Sequence, residues 1–168
     1  MAKKDRPVRV ERDSRYPTKI QIALTLLEAF KDAHSDIKIK AVLADALYGN
    51  GQFMDKASQI FNIAQVISQL HDNQLIDYKG KKRNIKDFFN TTHKGVNVTV
   101  RVRGGEEVKA TVSSARLKVL AHGKKRMVVA LKYEDESDYR YLVATELDEE
   151  GSSRGLILSL LFDHCILL

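Results

Sequence analysis

The stretch Lys38-Ile-Lys-Ala-Val-Leu-Ala-Asp45-Ala-Leu-Tyr-Gly-Asn-Gly-Gln-Phe53 constrains this chain more than any other. It reads as a buried strand, then a carboxylate, a Gly-rich turn and a helix. A short apolar run bounded by turn signals suits an interior strand. Asp45 comes where that run ends. A bare carboxylate is costly inside an apolar layer. It must cap the turn, bond to its neighbours, or hold a cation at the rim of the sheet. Ligands of open α/β sheets bind outside the carboxyl ends of the strands, which is where Asp45 stands. A turn-forming Asp ahead of Gly49 and Gly51 accounts for the same residue equally well.

The flanking text extends the pattern. Thr18 is a candidate N-cap, with Gln21 at capping-box spacing. A helix is predicted from there to about His34, with Ile20, Ala23, Leu24, Leu27 and Phe30 on one face. The strand is predicted over 37–44. A second helix over 52–62 shows Phe53, Ala57, Ile60 and Phe61 on one face, and a short strand over 64–70 follows. Strand, helix and strand of these lengths predict a βαβ unit with parallel strands. Residues 18–74 therefore read as an α/β core. Residues 1–17, which carry both prolines, Pro7 and Pro17, read as an arm.

From residue 75 the texture turns to antiparallel β. A short helix is predicted over 84–90. Val96, Val98, Val100 and Val102 alternate with polar residues, as a half-buried strand does. Gly104-Gly105 predicts a two-residue hairpin turn, with Val108, Ala110 and Val112 in the returning strand. Leu117, Val119 and Ala121 read as another strand. His122-Gly-Lys-Lys-Arg126 reads as a basic turn, 127–131 as a buried strand, and 134–138 as an acidic turn. Residues 75–138 thus form a basic β insertion, 139–147 a strand returning to the core, and 148–168 a tail. The fold class expected is α/β, or more loosely α+β, in one domain of 168 residues.

Charge is unevenly placed along a chain of net +6. Residues 79–132 hold 15 Lys/Arg against 3 Asp/Glu, whereas 133–168 hold 2 against 9. A basic block on hairpins is the electrostatic footprint of a polyanion partner, most often nucleic acid. Arg101, Arg103, Arg116, Lys118, Lys124, Lys125 and Arg126 are the candidate phosphate contacts, and such contacts carry no sequence information. A solvated cationic face is the competing reading. Tyr78, Phe88, Phe89 and Tyr133 are read as core rather than as stacking platforms. The single cysteine, Cys165, fits a reducing cytoplasm. Met1-Ala-Lys-Lys-Asp-Arg6 leads into no apolar run, so no secretory signal is expected. The apolar run 156–168 is 13 residues long, short of the about 20 needed to span a bilayer; no membrane partner is expected. The five histidines show no metal-ligand spacing. Gly49-Asn50-Gly51 lacks the third glycine of a dinucleotide fingerprint, and no Gly-x-Ser-x-Gly occurs.

The run Ala41–Phe53, with Pro17-Thr-Lys19 before it, resembles bacterial insertion-sequence DDE transposases. The branch concerned has a ribonuclease-H-like core and a β insertion between its second and third catalytic acids. Val66-Ile-Ser-Gln-Leu-His-Asp-Asn73, Arg101-Val-Arg-Gly-Gly-Glu106, Val112-Ser-Ser-Ala-Arg116 and Tyr139-Arg-Tyr-Leu-Val-Ala-Thr145 extend the likeness over roughly residues 15–147. The resemblance implies a partial ribonuclease-H-like βαβ core, with Asp45 as the second acid of a carboxylate set holding two Mg²⁺ or Mn²⁺ ions. It also implies double-stranded transposon-end DNA as partner, contacts from the β insertion, and relatives that act as oligomers on DNA.

The departures are equally specific. The family's first Asp lies on a strand upstream of the Thr18 helix, where this chain has only the arm with Asp5 and Asp13. The third acid belongs to a Tyr/Arg/Glu/Lys pattern, and no Tyr or Lys occurs after residue 141. One acid of three cannot build a two-metal site. The expectation is a transposase fragment that does not catalyse alone. The alternative is a non-enzymatic basic nucleic-acid-binding module; a small metal-dependent nuclease would need a second acid beside Asp45. A core lacking neighbouring strands would also expose an unpaired edge and apolar surface, and so associate.

Overall fold

The computed structural model describes residues 15–62, 65–101 (the Arg101 side chain excepted) and 105–145. Arg103, Cys165 and the 148–168 tail lie outside them, as does most of the arm. In chain order the elements are α1 (Lys19–Ala33), β1 (Ala41–Leu43), α2 (Gly51–Ile60), β2 (Gln65–Leu70), β3 (Leu75–Tyr78) and β4 (Lys81–Asn84). Then come α3 (Ile85–Asp87), which runs into a π-helical turn at Phe88–Thr92, and β5 (Val96–Arg101), β6 (Glu107–Val119), β7 (Lys124–Tyr133) and β8 (Arg140–Ala144). The fold is mixed α and β. One sheet takes in all eight described strands, in the order β1-β2-β8-β7-β6-β3-β4, with β5 also on β6. β1 and β2 are parallel, and every other pair is antiparallel.

The α/β half follows its local signals. Thr18 and Gln21 form a full capping box at the start of α1. Asn50 caps α2, its Oδ1 accepting from Phe53 N–H at 2.8 Å. Leu24 of α1 and Phe53, Met54 and Ala57 of α2 enter the core. β1 is shorter than expected. It starts at Ala41 rather than Ile37 and is only half-buried, because it is an edge strand whose partner among the described residues is β2. Ile37, read as part of a buried strand, is 49% exposed. Phe30, expected on the inner face of α1, is also exposed and instead meets Phe61 edge-on.

The β half shows how burial sets register. Arg101 pairs with Glu107, leaving five residues between the strands rather than the two expected at Gly104-Gly105. This register lines Val96, Val98 and Val100 up with Val112, Ala110 and Val108; a one-residue slip would set each valine opposite a polar neighbour. β6 is one strand of 13 residues, not two. Its halves bury opposite faces of the sheet. Val108, Ala110 and Val112 join Ile67, Val129, Leu131 and Leu142 on one face. Ala115, Leu117 and Val119 join the helices, with Val128, Ala130, Tyr141 and Val143, on the other. The pattern changes phase at Ser113-Ser114 while the strand itself continues. β3 and β4 form a hairpin that periodicity missed, since β4 is wholly polar. Lys79 and Gly80 turn it with φ of 54° and 77°, the conformation of a primed two-residue turn. Among the described residues no helix is long and apolar enough to cross a membrane.

Candidate functional site

Asp45 stands at the carboxyl end of β1, where the sequence put it. Its Oδ1 accepts from Leu47 N–H at 2.8 Å and caps a single 3-10 turn, Ala46–Tyr48. Its carbonyl accepts from Tyr48 N–H and from Ser68 Oγ, the latter at 2.6 Å. The side chain is exposed. Among the described residues no three His, Cys, Asp or Glu side chains come together to hold a metal. The donor set around Asp45 therefore does not fit the two-ion site that the resemblance implies, and the carboxylate is accounted for as a turn cap.

The turn after it is clamped from both sides. A Cβ on Gly49 would lie 2.2 Å from the Gln69 carbonyl oxygen of β2. A Cβ on Gly51 would lie 3.0 Å from the Cα of His122. Close approach of neighbouring chain accounts for a glycine at each of these two positions. His122, which is 8% exposed, donates from Nε2 to the Gly49 carbonyl at 3.0 Å. That leaves Nδ1 bare to accept from Arg126 Nε at 3.4 Å.

Arg126 is the buried centre of a charge cluster that reaches the surface. It is 3% exposed, and its guanidinium meets Asp55 Oδ1 of α2 at 2.5 Å. Lys124 Nζ holds the other oxygen, Asp55 Oδ2, at 2.7 Å. Burial pushes the Asp55 carboxyl up, but the hydrogen bonds from Lys124 and Arg126 outweigh it and hold the carboxyl below its ordinary value. Burial also pushes His122 down; the Gly49 carbonyl opposes this, and the Arg126 charge adds to it. The imidazole is thereby kept neutral.

The cations read as one basic block divide between the two faces. Arg126 and Lys124 face the helices, since they pair with Leu117 and Val119. Arg126 is thus corrected from a surface phosphate contact to a buried ion-pair partner, because its strand phase matches Val128 and Ala130. Lys124 lies at the rim with its charge on Asp55. Arg116, Lys118 and Lys125 are exposed on the other face. Lys82, Asp77, Lys118 and Lys125 form one row across β4, β3, β6 and β7. Strands lie about 4.8 Å apart, so this row spans roughly 14 Å. Arg101 is at the end of β5, and Arg103 is outside the described residues. Asp55 and His122 were missed as partners. The signal was there: Arg126 falls in the inward phase of its strand, and a buried guanidinium requires an acid.

A comparison with known protein families finds no family model that matches the chain, and a comparison with curated proteins finds no match either.

Proposed function

We propose that this chain is a fragment of a bacterial insertion-sequence DDE transposase, with part of a ribonuclease-H-like core and its β insertion. In this reading it contacts double-stranded DNA and does not cut or join strands by itself. The observation that carries the reading is the order of elements around Asp45. The acid follows β1 of a parallel β1–α2–β2 unit, and a long β-rich excursion then returns as β8 against β2. The DNA-facing surface is the row of Lys82, Lys118 and Lys125, interrupted by Asp77 between Lys82 and Lys118, with Arg116 beside it, rather than Lys124 or Arg126. Mg²⁺ or Mn²⁺ finds one carboxylate here and is not held. The site of action is the bacterial nucleoid.

The test is purified protein with duplex DNA carrying insertion-sequence ends, with Mg²⁺ or Mn²⁺. DNA retention without strand cleavage is expected. Cleavage that Asp45→Ala abolishes would overturn the inactive-fragment reading. A second reading, a non-enzymatic nucleic-acid-binding module unrelated to transposases, is favoured by the Asp45 carboxylate being occupied as a cap. Reading frames flanking the gene that encode the missing first-Asp strand and Glu helix would decide for the fragment.

A further inference from the structure

We infer that His122 is a positioning residue for the Asp45 turn, carrying the α2–β7 ion pair into that turn, and that the link opens when the imidazole gains a proton. The inference stands apart from the transposase reading, since it concerns how the turn is held and not what it does.

The path is continuous in hydrogen bonds. Asp55 on α2 holds Arg126 on β7, Arg126 Nε donates to His122 Nδ1, and His122 Nε2 donates to the Gly49 carbonyl. Gly49 N–H donates to the Ala46 carbonyl, and Tyr48 N–H and Leu47 N–H close on Asp45. The turn cannot relax toward β2, because Gly49 already lies against the Gln69 carbonyl. It cannot relax toward Leu120–His122 while Gly51 abuts the imidazole. His122 is the one titratable member of this path whose ordinary pKa lies between pH 5 and 8.

The protonation balance is simple. Neutral His122 has one N–H and one bare nitrogen, and both are used. A proton added at Nδ1 removes the acceptor for Arg126 Nε and places a cation beside another, while the Nε2–H bond to the Gly49 carbonyl is kept. The link opens between Arg126 and His122, and the ring carries the Gly49 turn away from the guanidinium. The charges acting on the ring are Arg126 and Lys124 from β7 and Asp55 from α2. Asp77 of β3, the neighbouring strand, lies on the opposite face of the sheet. Asp55 is already shared by two cations, so it offsets a third only in part. Because burial lowers the folded value, the link is intact above the ordinary histidine pKa of 6.5. It is lost as pH falls through the lowered folded value.

The experiment is amide exchange and ¹⁵N chemical shift of Leu47, Tyr48 and Gly49 in the full chain between pH 7.5 and 5. The His122 ring is followed in the same samples. After correction for intrinsic exchange, protection at these amides is expected to drop about tenfold in step with His122, the size of one charge-assisted hydrogen bond. His122→Gln, which keeps one donor and one acceptor but does not titrate, is expected to abolish the step. Three results would overturn the inference: His122 titrating while the three amides do not respond, a step that follows His34, His71 or His93 instead, or a step that survives in His122→Gln. If that variant does not fold, the native titration alone decides.

Discussion

Asp55→Asn is the most informative single change in this molecule. It keeps the shape of the side chain and removes one charge. Arg126, whose side chain is 4% exposed, is then left buried without a counter-ion. Removing one partner of a fully buried pair costs about 3–5 kcal/mol. Asp55 is 28% exposed, so water screens part of the loss. The half-exposed Lys124 contact adds only about 0.5 kcal/mol, as surface pairs do. The expected destabilisation is therefore about 2–3 kcal/mol, a large share of a stability of about 5–15 kcal/mol. For a domain of this size it lowers Tm by roughly 5–10 °C. Urea unfolding of four proteins measures it: native, Asp55→Asn, Arg126→Met and the double variant. On the Arg126→Met background Asp55→Asn should cost less than about 1 kcal/mol, because no buried cation is orphaned. A coupling below about 0.5 kcal/mol would refute the claim that the pair acts as a buried unit. The sign with pH is also set. The lowered carboxyl contributes fully above its ordinary value of 3.8. That contribution is lost as pH falls through the folded value, so the native and Asp55→Asn unfolding curves should converge in strong acid.

Gly49→Ala drives a Cβ into the Gln69 carbonyl oxygen, which belongs to a sheet strand and cannot step aside. It should cost about 1–3 kcal/mol in urea unfolding. Asp45→Ala should cost about 1 kcal/mol through removal of the cap, and Asp45→Asn much less, because an amide oxygen caps as well. For duplex DNA, changing Lys82, Lys118 and Lys125 together to Ser should lower the slope of log affinity against log salt by about 0.9 for each phosphate no longer neutralised, whereas Lys124→Ser should leave it nearly unchanged. Ile22, Leu26 and Phe30, one turn apart on α1, are 46%, 64% and 41% exposed. Leu26→Glu should reduce concentration-dependent association in sedimentation; an unchanged profile would clear this face of that role.

Much of the α/β half was legible because its signals are local. Thr18 and Gln21 announce a helix start, and Asp45 falls where an apolar run ends. Two ends were misjudged, and both errors depend on neighbours that the local text does not mention. Periodicity gives Ile37–Ala44 as an interior strand. Yet a strand is buried only if partners flank it, and β1 has β2 on one side. On α1 the face read from the sequence does meet the core through Ile20, Ala23, Leu24 and Leu27, and Phe30 at its edge does not, because Ile22 and Leu26 extend the apolar surface beyond that face. In the β half the pattern was legible only within each half of β6, since the face that is buried changes along the strand. In the β3–β4 hairpin β4 is wholly polar and β3 offers only Ile76 and Tyr78 to the core, too few for a periodic signal; burial of Ile76 and a short backbone ladder to β6 fix its place. Of the candidate site, the position of Asp45 was legible and its partners were not. A carboxylate at a strand end looks the same in sequence whether its second neighbour is an amide or an ion. Arg126 was grouped with surface cations because charge alone was counted, though its phase with Val128 and Ala130 points inward.

The most direct test of the proposed function is a strand-cleavage and joining assay on duplex DNA carrying insertion-sequence ends. The purified chain is assayed with Mg²⁺ or Mn²⁺ beside Asp45→Ala. The account predicts salt-sensitive DNA retention and no strand breakage or joining by either protein. Metal-dependent breakage or joining by the native chain that disappears in Asp45→Ala would contradict it, because Asp45 would then be working with carboxylates that the described fold does not bring to it.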